Sequence, residues 1–272
     1  MTSFTPDYQP TARKAIVKHD TEHGLTEAED VLIEEVPVAL TYNGIAHAVL
    51  LASPCDLDYF ALGFSLSEGI LSHAAQLYDT EVVHTSAGIE VRLDIATERF
   101  VGLKERRRTL AGRTGCGLCG VENLSAVSRT LAPIQRGAPI SLAVLPKALE
   151  AFPQAQPLRA LSGAIHGAAW VSPEGTIIKV FEDVGRHNAL DKLVGWLSKT
   201  EQNVQHGFAL VSSRASYEMV QKSATIGIGC LVAVSAPTAF AVDLAEQIGM
   251  TLVGFARPHK QNIYTHPEGL IA

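Results

Sequence analysis

The sequence predicts an α/β protein whose C-terminal half is built on a parallel sheet and whose smaller N-terminal portion is mixed α+β. Three observations carry this. Apolar runs and amphipathic stretches alternate in the order β-α-β-α-β through the second half, whereas short strands surround one strong helix in the first. A hydrophobic fraction of 47%, a charged fraction of 18% and a mean hydropathy of +0.15 fit a compact core and argue against extensive disorder. At 272 residues the chain is long enough for one large or two medium domains.

Residues 1–28 are polar and lack periodicity, which predicts a loose arm. Order is expected from Val31. Val31–Leu40 reads as extended chain, Asn43-Gly44 as a turn, and Ile45–Leu51 as the returning strand of a hairpin. Asp56 offers an N-cap to a helix reaching about Glu68, with Leu57, Phe60 and Phe64 on one face and Gly69 as its stop. Short strands are expected at Glu81–Val83, Ile89–Leu93 and Arg99–Leu103. From Lys104 to Gly120 no apolar period is visible, and four glycines fall between Gly112 and Gly120, so this stretch reads as a flexible loop leading into a helix over Val121–Arg129. Pro133, Pro139, Pro146, Pro153 and Pro157 punctuate a linker around a short helix at Lys147–Ala151. The division that follows is an arm (1–28), a mixed α+β domain (29–135) carrying the loop 104–120, and an α/β cofactor-binding domain (155–272).

Within the last region, strands are expected at Ala168–Val171, Ile177–Phe181, Phe208–Val211, Cys230–Val234 and Thr251–Phe255. Helices are expected through Ala189, Leu190, Leu193, Val194 and Leu197, then over Ser216–Thr225 and Thr238–Ile248. Continuous apolar strands joined by such helices imply a parallel sheet covered on both faces, which collects ligands beyond the carboxyl ends of its strands. Those ends are Ser212-Ser213-Arg214, Ser235-Ala236-Pro237 and Ala256-Arg257-Pro258-His259-Lys260. The last carries an arginine fork, a lysine point charge and a histidine, a set suited to phosphate oxygens, although an ordinary charged loop reads equally well. Ser212, Ser213, Arg214 and Lys222 are further candidates for the same crevice. Capping and turn-making account for Asp183 and Gly185. His187 stays open, and His166 reads equally as a hydrogen-bonded or a functional histidine.

The motif richest in chemistry is Thr114-Gly115-Cys116-Gly117-Leu118-Cys119-Gly120, directly after Arg113 and close behind Lys104-Glu105-Arg106-Arg107-Arg108. Cationic surroundings favour thiolate over thiol. Two intervening residues let both sulfurs face one ligand, pair with each other, or pass a sulfur atom between them. Zinc wants four ligands, no second Cys-x-x-Cys exists, and His166 and His187 are distant in sequence, so no structural metal is expected. A thioredoxin-like site would lie in a βαβ pattern with few flanking glycines. Covalent sulfur carriage fits best: the Cys116 thiolate attacks the terminal sulfur of a donor persulfide, with Cys119 as second carrier or resolving thiol. Cys55 and Cys230 sit in apolar stretches, and Cys230 reads as a buried core thiol.

A formal charge of −6 argues against general nucleic-acid binding. Met1–Pro10 lacks the basic and apolar regions of a signal peptide, and no run approaches about 18 apolar residues, so a cytoplasmic protein without a membrane partner is expected.

Several long segments, taken together and in order, resemble the formate dehydrogenase accessory sulfurtransferase family, FdhD. They are Glu35–Leu40, Ala61–Ile70, Arg113–Gly120, Asp183–Lys192, Ser212–Lys222 and Tyr264–Pro267. The resemblance implies a homodimer with a cytidine-deaminase-like three-layer core in the C-terminal half. It implies a sulfurtransferase that takes sulfur from a cysteine desulfurase and delivers it to molybdenum bis(molybdopterin guanine dinucleotide) for formate dehydrogenase. The persulfide cysteine would be Cys116, with Cys119 beside it, and the cofactor-binding stretch Phe255, Ala256, Arg257, Pro258, His259 and Lys260. No His-x-Glu with Pro-Cys-x-x-Cys is present, so deaminase chemistry is not implied. The rival reading is a chaperone that binds the cofactor without catalysis.

Overall fold

The structure, a computed structural model, describes residues 7–111 and 131–272. It opens with a hairpin where a loose arm was expected: β1 (Thr11–Asp20) pairs antiparallel with β2 (Gly24–Ile33). The carboxylate of Asp20 accepts the Glu22 and His23 amides at 2.8 and 3.0 Å, and Gly24 takes a φ of 71°. Most of this ribbon is exposed, so no hydrophobic alternation marks it; ladder bonds and turn chemistry define it instead.

β3 (Val36–Tyr42) and β4 (Ile45–Ala52) form the expected hairpin around Asn43-Gly44, which sit at φ 45° and 79°. Val36, Val38, Leu40 and Tyr42 alternate inward on β3. With β5 (Leu77–Thr85) and β6 (Gly88–Ile95) these make a four-stranded sheet of order β4-β3-β6-β5. Helix α1 (Leu57–Ser67) occurs where expected, but Asp56 has a left-handed backbone and caps it only through its carbonyl, which accepts the Phe60 amide at 3.0 Å, with no side-chain cap. The expected strand Arg99–Leu103 is a correction, because these residues belong to α2 (Thr97–Ala111). The Ala96 carbonyl accepts the Arg99 and Phe100 amides, Leu103 is buried, and the Arg99 side chain holds the carbonyls of Ile70 and Gly69 at 2.7 and 3.0 Å. Residues 104–111 of the expected loop therefore lie in a helix. The rest of that loop, and the helix expected over Val121–Arg129, fall outside the described residues.

The second half contains β7 (Ile140–Ser141), α3 (Val144–Gln154), α4 (Pro157–Leu161), β8 (His166–Val171), β9 (Ile177–Asp183) and α5 (Arg186–Lys199). It continues through β10 (Phe208–Val211), α6 (Tyr217–Thr225), β11 (Cys230–Ala233), α7 (Ala239–Ile248), β12 (Thr251–Arg257), β13 (Lys260–Thr265) and β14 (Leu270–Ile271). Six strands form one sheet in the order β13-β12-β11-β10-β8-β9. β10, β11 and β12 run parallel, as the β-α-β-α-β pattern predicts, while β8, β9 and β13 add antiparallel neighbours.

Side-chain alternation divides the two faces of this sheet. Ala169, Val171, Phe208, Leu210, Val232 and Val253 pack with Leu145, Ala148, Leu149 and Phe152 of α3. Ala168, Trp170, Val211, Leu231 and Leu252 join a cluster with α5, α6 and α7 that extends through α1 to β3 and β6. One buried cluster thus runs across both halves of the chain. At about 1.5–3 kcal/mol for each large apolar side chain removed from water, it is the main attachment between them.

Candidate functional site

Among the six residues expected to hold a cofactor, four present exposed side chains on the β12–β13 hairpin: Phe255, Arg257, His259 and Lys260. Ala256 is buried, so it can offer backbone only, and Pro258 is half-buried in the turn. The ladder shifts between Gly254 and Arg257, and this bulge turns Phe255 outward, 47% exposed and in a left-handed backbone of φ 49°. The Phe255 amide donates to the Ser235 carbonyl at 3.1 Å, and the Arg257 guanidinium donates to the Val234 and Ala256 carbonyls. These bonds join the carboxyl ends of β11 and β12 and aim a cation along the edge of the sheet.

The neighbouring strand ends complete that edge. Ser212, Ser213 and Arg214 follow β10, and Ala215 bridges to Pro237 beyond β11. The Thr238 hydroxyl caps α7 through the Ala241 amide at 3.3 Å, whereas Ser216 makes no side-chain cap to α6. Tyr217 and Phe240, at the openings of α6 and α7, stack at 4.2 Å with an interplanar angle of 8°. The sheet edge is thus lined by hydroxyls, arginines and an aromatic pair.

The segment Asp183–Lys192 has another use. Asp183 and Lys192 form a fully buried ion pair of 2.8 Å. The Asp183 carboxylate also accepts the amides of Ser53 and Gly185 at 3.1 and 2.8 Å and the Asn188 side chain at 3.0 Å. Local turn-making was the expected role, and the structure adds a long-range one: Ser53 follows β4, 130 residues earlier in the chain.

Two sequence readings are corrected nearby. Lys222 does not reach the crevice: its ammonium lies 2.9 Å from Asp191 and donates to Ser67 at 2.9 Å, with Glu68 at 3.4 Å. Burial works against the Lys222 charge, but the carboxylates of Asp191 and Glu68 outweigh it and hold the ammonium above its usual range. Cys55 is not in purely apolar surroundings. The Lys192 ammonium is 3.7 Å from its sulfur, although burial still pushes the thiol up. Cys230 is buried as expected, and burial pushes its thiol up to about 12, which leaves it inert.

The two histidines left open lie at this end of the sheet. Ser212 Oγ is 3.5 Å from His166 Nδ1 and accepts the Gly167 amide at 2.9 Å. His187 Nε2 lies 2.8 Å from a Glu218 carboxylate oxygen, although the angle is not that of a full hydrogen bond. Burial pushes both imidazoles below their ordinary range, and the Arg186 charge adds to the effect on each. His266 goes the other way, held protonated by the Glu246 carbonyl and the Glu268 carboxylate. A histidine NMR titration is expected to show His166 and His187 losing their protons below pH ~6.5 and His266 above it. The stabilising contributions of His166 and His187 are therefore present above that pH and lost on acidification, while that of His266 is present below it and lost as pH rises.

Cys116 and Cys119 lie outside the described residues. Among the described residues there is no cluster of three His, Cys, Asp or Glu side chains able to hold a metal ion, and no helix long and apolar enough to cross a membrane. The sequence reading passed over Arg159 and Arg186. Arg186 stands inside the segment Asp183–Lys192 but draws no role of its own from the sequence, and Arg159 carries no local signal at all.

Comparison with known proteins places these features in a family context. A model of the FdhD/NarQ family matches residues 33–271, a span that includes the Cys-x-x-Cys segment and the β12–β13 hairpin but leaves out nearly all of the β1–β2 ribbon. The crystal structure of a candidate formate dehydrogenase accessory protein from Desulfotalea psychrophila shares the fold, with a TM-score of 0.78 at 22% identity over 96% of this chain and 100% of that one.

Proposed function

The chain belongs to the FdhD/NarQ family, and from that membership we propose that it is a sulfurtransferase of molybdenum-cofactor maturation, acting through a persulfide on Cys116. The observation that carries this reading is a family match spanning both chemical parts, the thiol pair Cys116 and Cys119 and the strand-end stretch Phe255–Lys260. In the first step the Cys116 thiolate attacks the terminal sulfur of a cysteine desulfurase persulfide. A new S–S bond forms on Cys116, the old one breaks, and the donor leaves as a thiol. Cys119, two residues on, serves as second carrier or resolving thiol. The substrate that receives sulfur is molybdenum bis(molybdopterin guanine dinucleotide), bound at the carboxyl edge of the six-stranded sheet for delivery to formate dehydrogenase.

Arg257 and Lys260 are the phosphate-facing cations in this reading. Their support is position, since parallel strands present ligands beyond their carboxyl ends, and chemistry, since an arginine fork matches phosphate oxygens. The helix-covered sheet supports a cytidine-deaminase-like core without deaminase chemistry. The reading carries with it a cytoplasmic homodimer.

Incubating the chain with a cysteine desulfurase and sulfur-labelled cysteine tests the proposal. Intact-mass and peptide mass spectrometry is expected to find one added sulfur on Cys116 and none there in Cys116→Ala, which should also fail to activate formate dehydrogenase. No label on the unaltered chain, or full activation by Cys116→Ala, would leave the cofactor-binding chaperone as the better account.

A further inference from the structure

The same sheet edge holds a second cationic cluster, on the opposite side of β10 from Arg257. His166 opens β8 and pairs across the ladder with Asp183, and Arg186 follows three residues later as the first residue of α5. The next ladder pair is Gly167 with Glu182. The Glu182 carboxylate accepts the Leu158 and Arg159 amides at 2.9 and 2.8 Å, which pins α4 beside the same two strands. Arg159, Arg186 and His166 therefore rise from three elements around one end of the β8–β9 ladder, with the Ser212 hydroxyl 3.5 Å from the imidazole.

The nearby acids are already engaged. Asp183 is held by Lys192, Ser53, Gly185 and Asn188 and Glu182 by two backbone amides, while Glu218 is largely exposed, 2.8 Å from His187 Nε2. Arg186 Nε is buried without a hydrogen-bond acceptor among the described residues. A buried guanidinium N–H in that condition is costly, and an anionic oxygen is the group that relieves it.

We propose that Arg186, Arg159 and His166 form an oxoanion subsite that binds a phosphate group of the ligand, separate from the phosphate contacts of Arg257 and Lys260. The proposal rests on the cofactor-binding reading above and narrows the ligand class. β8, β10, β11 and β12 are consecutive in the sheet, so the backbones that carry His166 and Arg257 are three strand spacings apart, about 14 Å, and the Arg257 guanidinium reaches back only as far as the Val234 carbonyl at the end of β11. One diphosphate does not span that distance. A ligand with two phosphate-bearing arms does. His166 faces Arg186 on α5, Arg159 on α4, Asp183 on β9 and Ser212 beyond β10. It is mainly neutral near pH 7, and an arriving phosphate dianion draws a proton onto it.

Calorimetry on the full chain with inorganic pyrophosphate tests the subsite, paired with NMR titration of His166. Arg186→Gln is expected to weaken this binding about tenfold, the loss of one charged hydrogen bond. Arg159→Gln, at an exposed position and therefore harmless to folding, should weaken it by a smaller factor. The double change Arg257→Ala with Lys260→Ala should leave this component in place, and pyrophosphate should raise the His166 titration midpoint. Unchanged affinity in both arginine variants, an indifferent His166, or loss of all pyrophosphate binding when only Arg257 and Lys260 are changed would each overturn the subsite. None of these outcomes reads out sulfur on Cys116, so failure of the subsite and failure of the sulfurtransferase reading are distinguishable.

Discussion

Asp183→Ala is expected to destabilise the protein by about 3–5 kcal/mol, because it strands the Lys192 ammonium in a site with no access to water. Both side chains are 0% exposed and 2.8 Å apart. The remaining partners of Lys192 are the Glu182 carbonyl at 3.1 Å, the Ser53 carbonyl at 3.4 Å and the Cys55 sulfur at 3.7 Å, a thiol that burial keeps in its protonated form, so none of them neutralises the charge. The loss would also release the amides of Ser53 and Gly185 and the Asn188 side chain, which spend their hydrogen bonds on the same carboxylate. Ser53 follows β4 and Lys192 lies on α5, so the damage falls where the four-stranded sheet meets the C-terminal half. A double change, Asp183→Leu with Lys192→Met, removes both charges and is expected to be clearly milder than either single loss. Urea unfolding of the set decides the point. A double variant as unstable as the sum of two singles would show that the pair acts as packing rather than as coupled charges.

This buried pair also marks where the sequence stops being readable. The strands Phe208–Val211, Cys230–Ala233 and Thr251–Arg257 were legible because both faces are covered, which writes each as a continuous apolar run. Asn43-Gly44 announced its hairpin through turn chemistry alone. The β1–β2 ribbon was not legible, because it is exposed on both faces and carries no alternation. α2 was missed for a related reason: its polar surface hides the period, and its first turn is fixed by Arg99 reaching carbonyls 29 and 30 positions away. β13 was missed because Lys260 was read as the end of a ligand loop rather than as the start of a strand pairing with β12. Within the site, Asp183 looked like a turn residue and Lys222 like a crevice cation. Their partners, Ser53 and Lys192 for one, Ser67 and Asp191 for the other, come together only in the folded chain.

Gly63→Ala and Gly195→Ala are expected to do comparable damage through sterics alone. α1 and α5 cross in backbone contact. A methyl group on Gly63 would sit far inside the van der Waals contact distance of the Asp191 carbonyl oxygen, and one on Gly195 far inside that of the Tyr59 carbonyl oxygen. Neither obstacle is the end of a flexible side chain, so relief requires the helices to move apart. That movement would stretch the Ser67 hydrogen bond to Asp191 at 2.7 Å, which spans the same crossing, and would disturb Lys222 of α6, which lies 2.9 Å from each of those two residues. Alanine ordinarily favours a helix over glycine by about 1 kcal/mol. Here a backbone clash exceeds the ~1–3 kcal/mol of ordinary overpacking, so the sign reverses. Gly102 provides the control. It lies inside α2 with no atom within 4 Å of an added Cβ, so Gly102→Ala should be neutral or stabilising by up to about 1 kcal/mol. Thermal unfolding of the three variants separates the causes. A fall in Tm at positions 63 and 195 with none at 102 assigns the loss to the helix crossing, whereas equal behaviour at all three would mean that α1 and α5 are not in backbone contact.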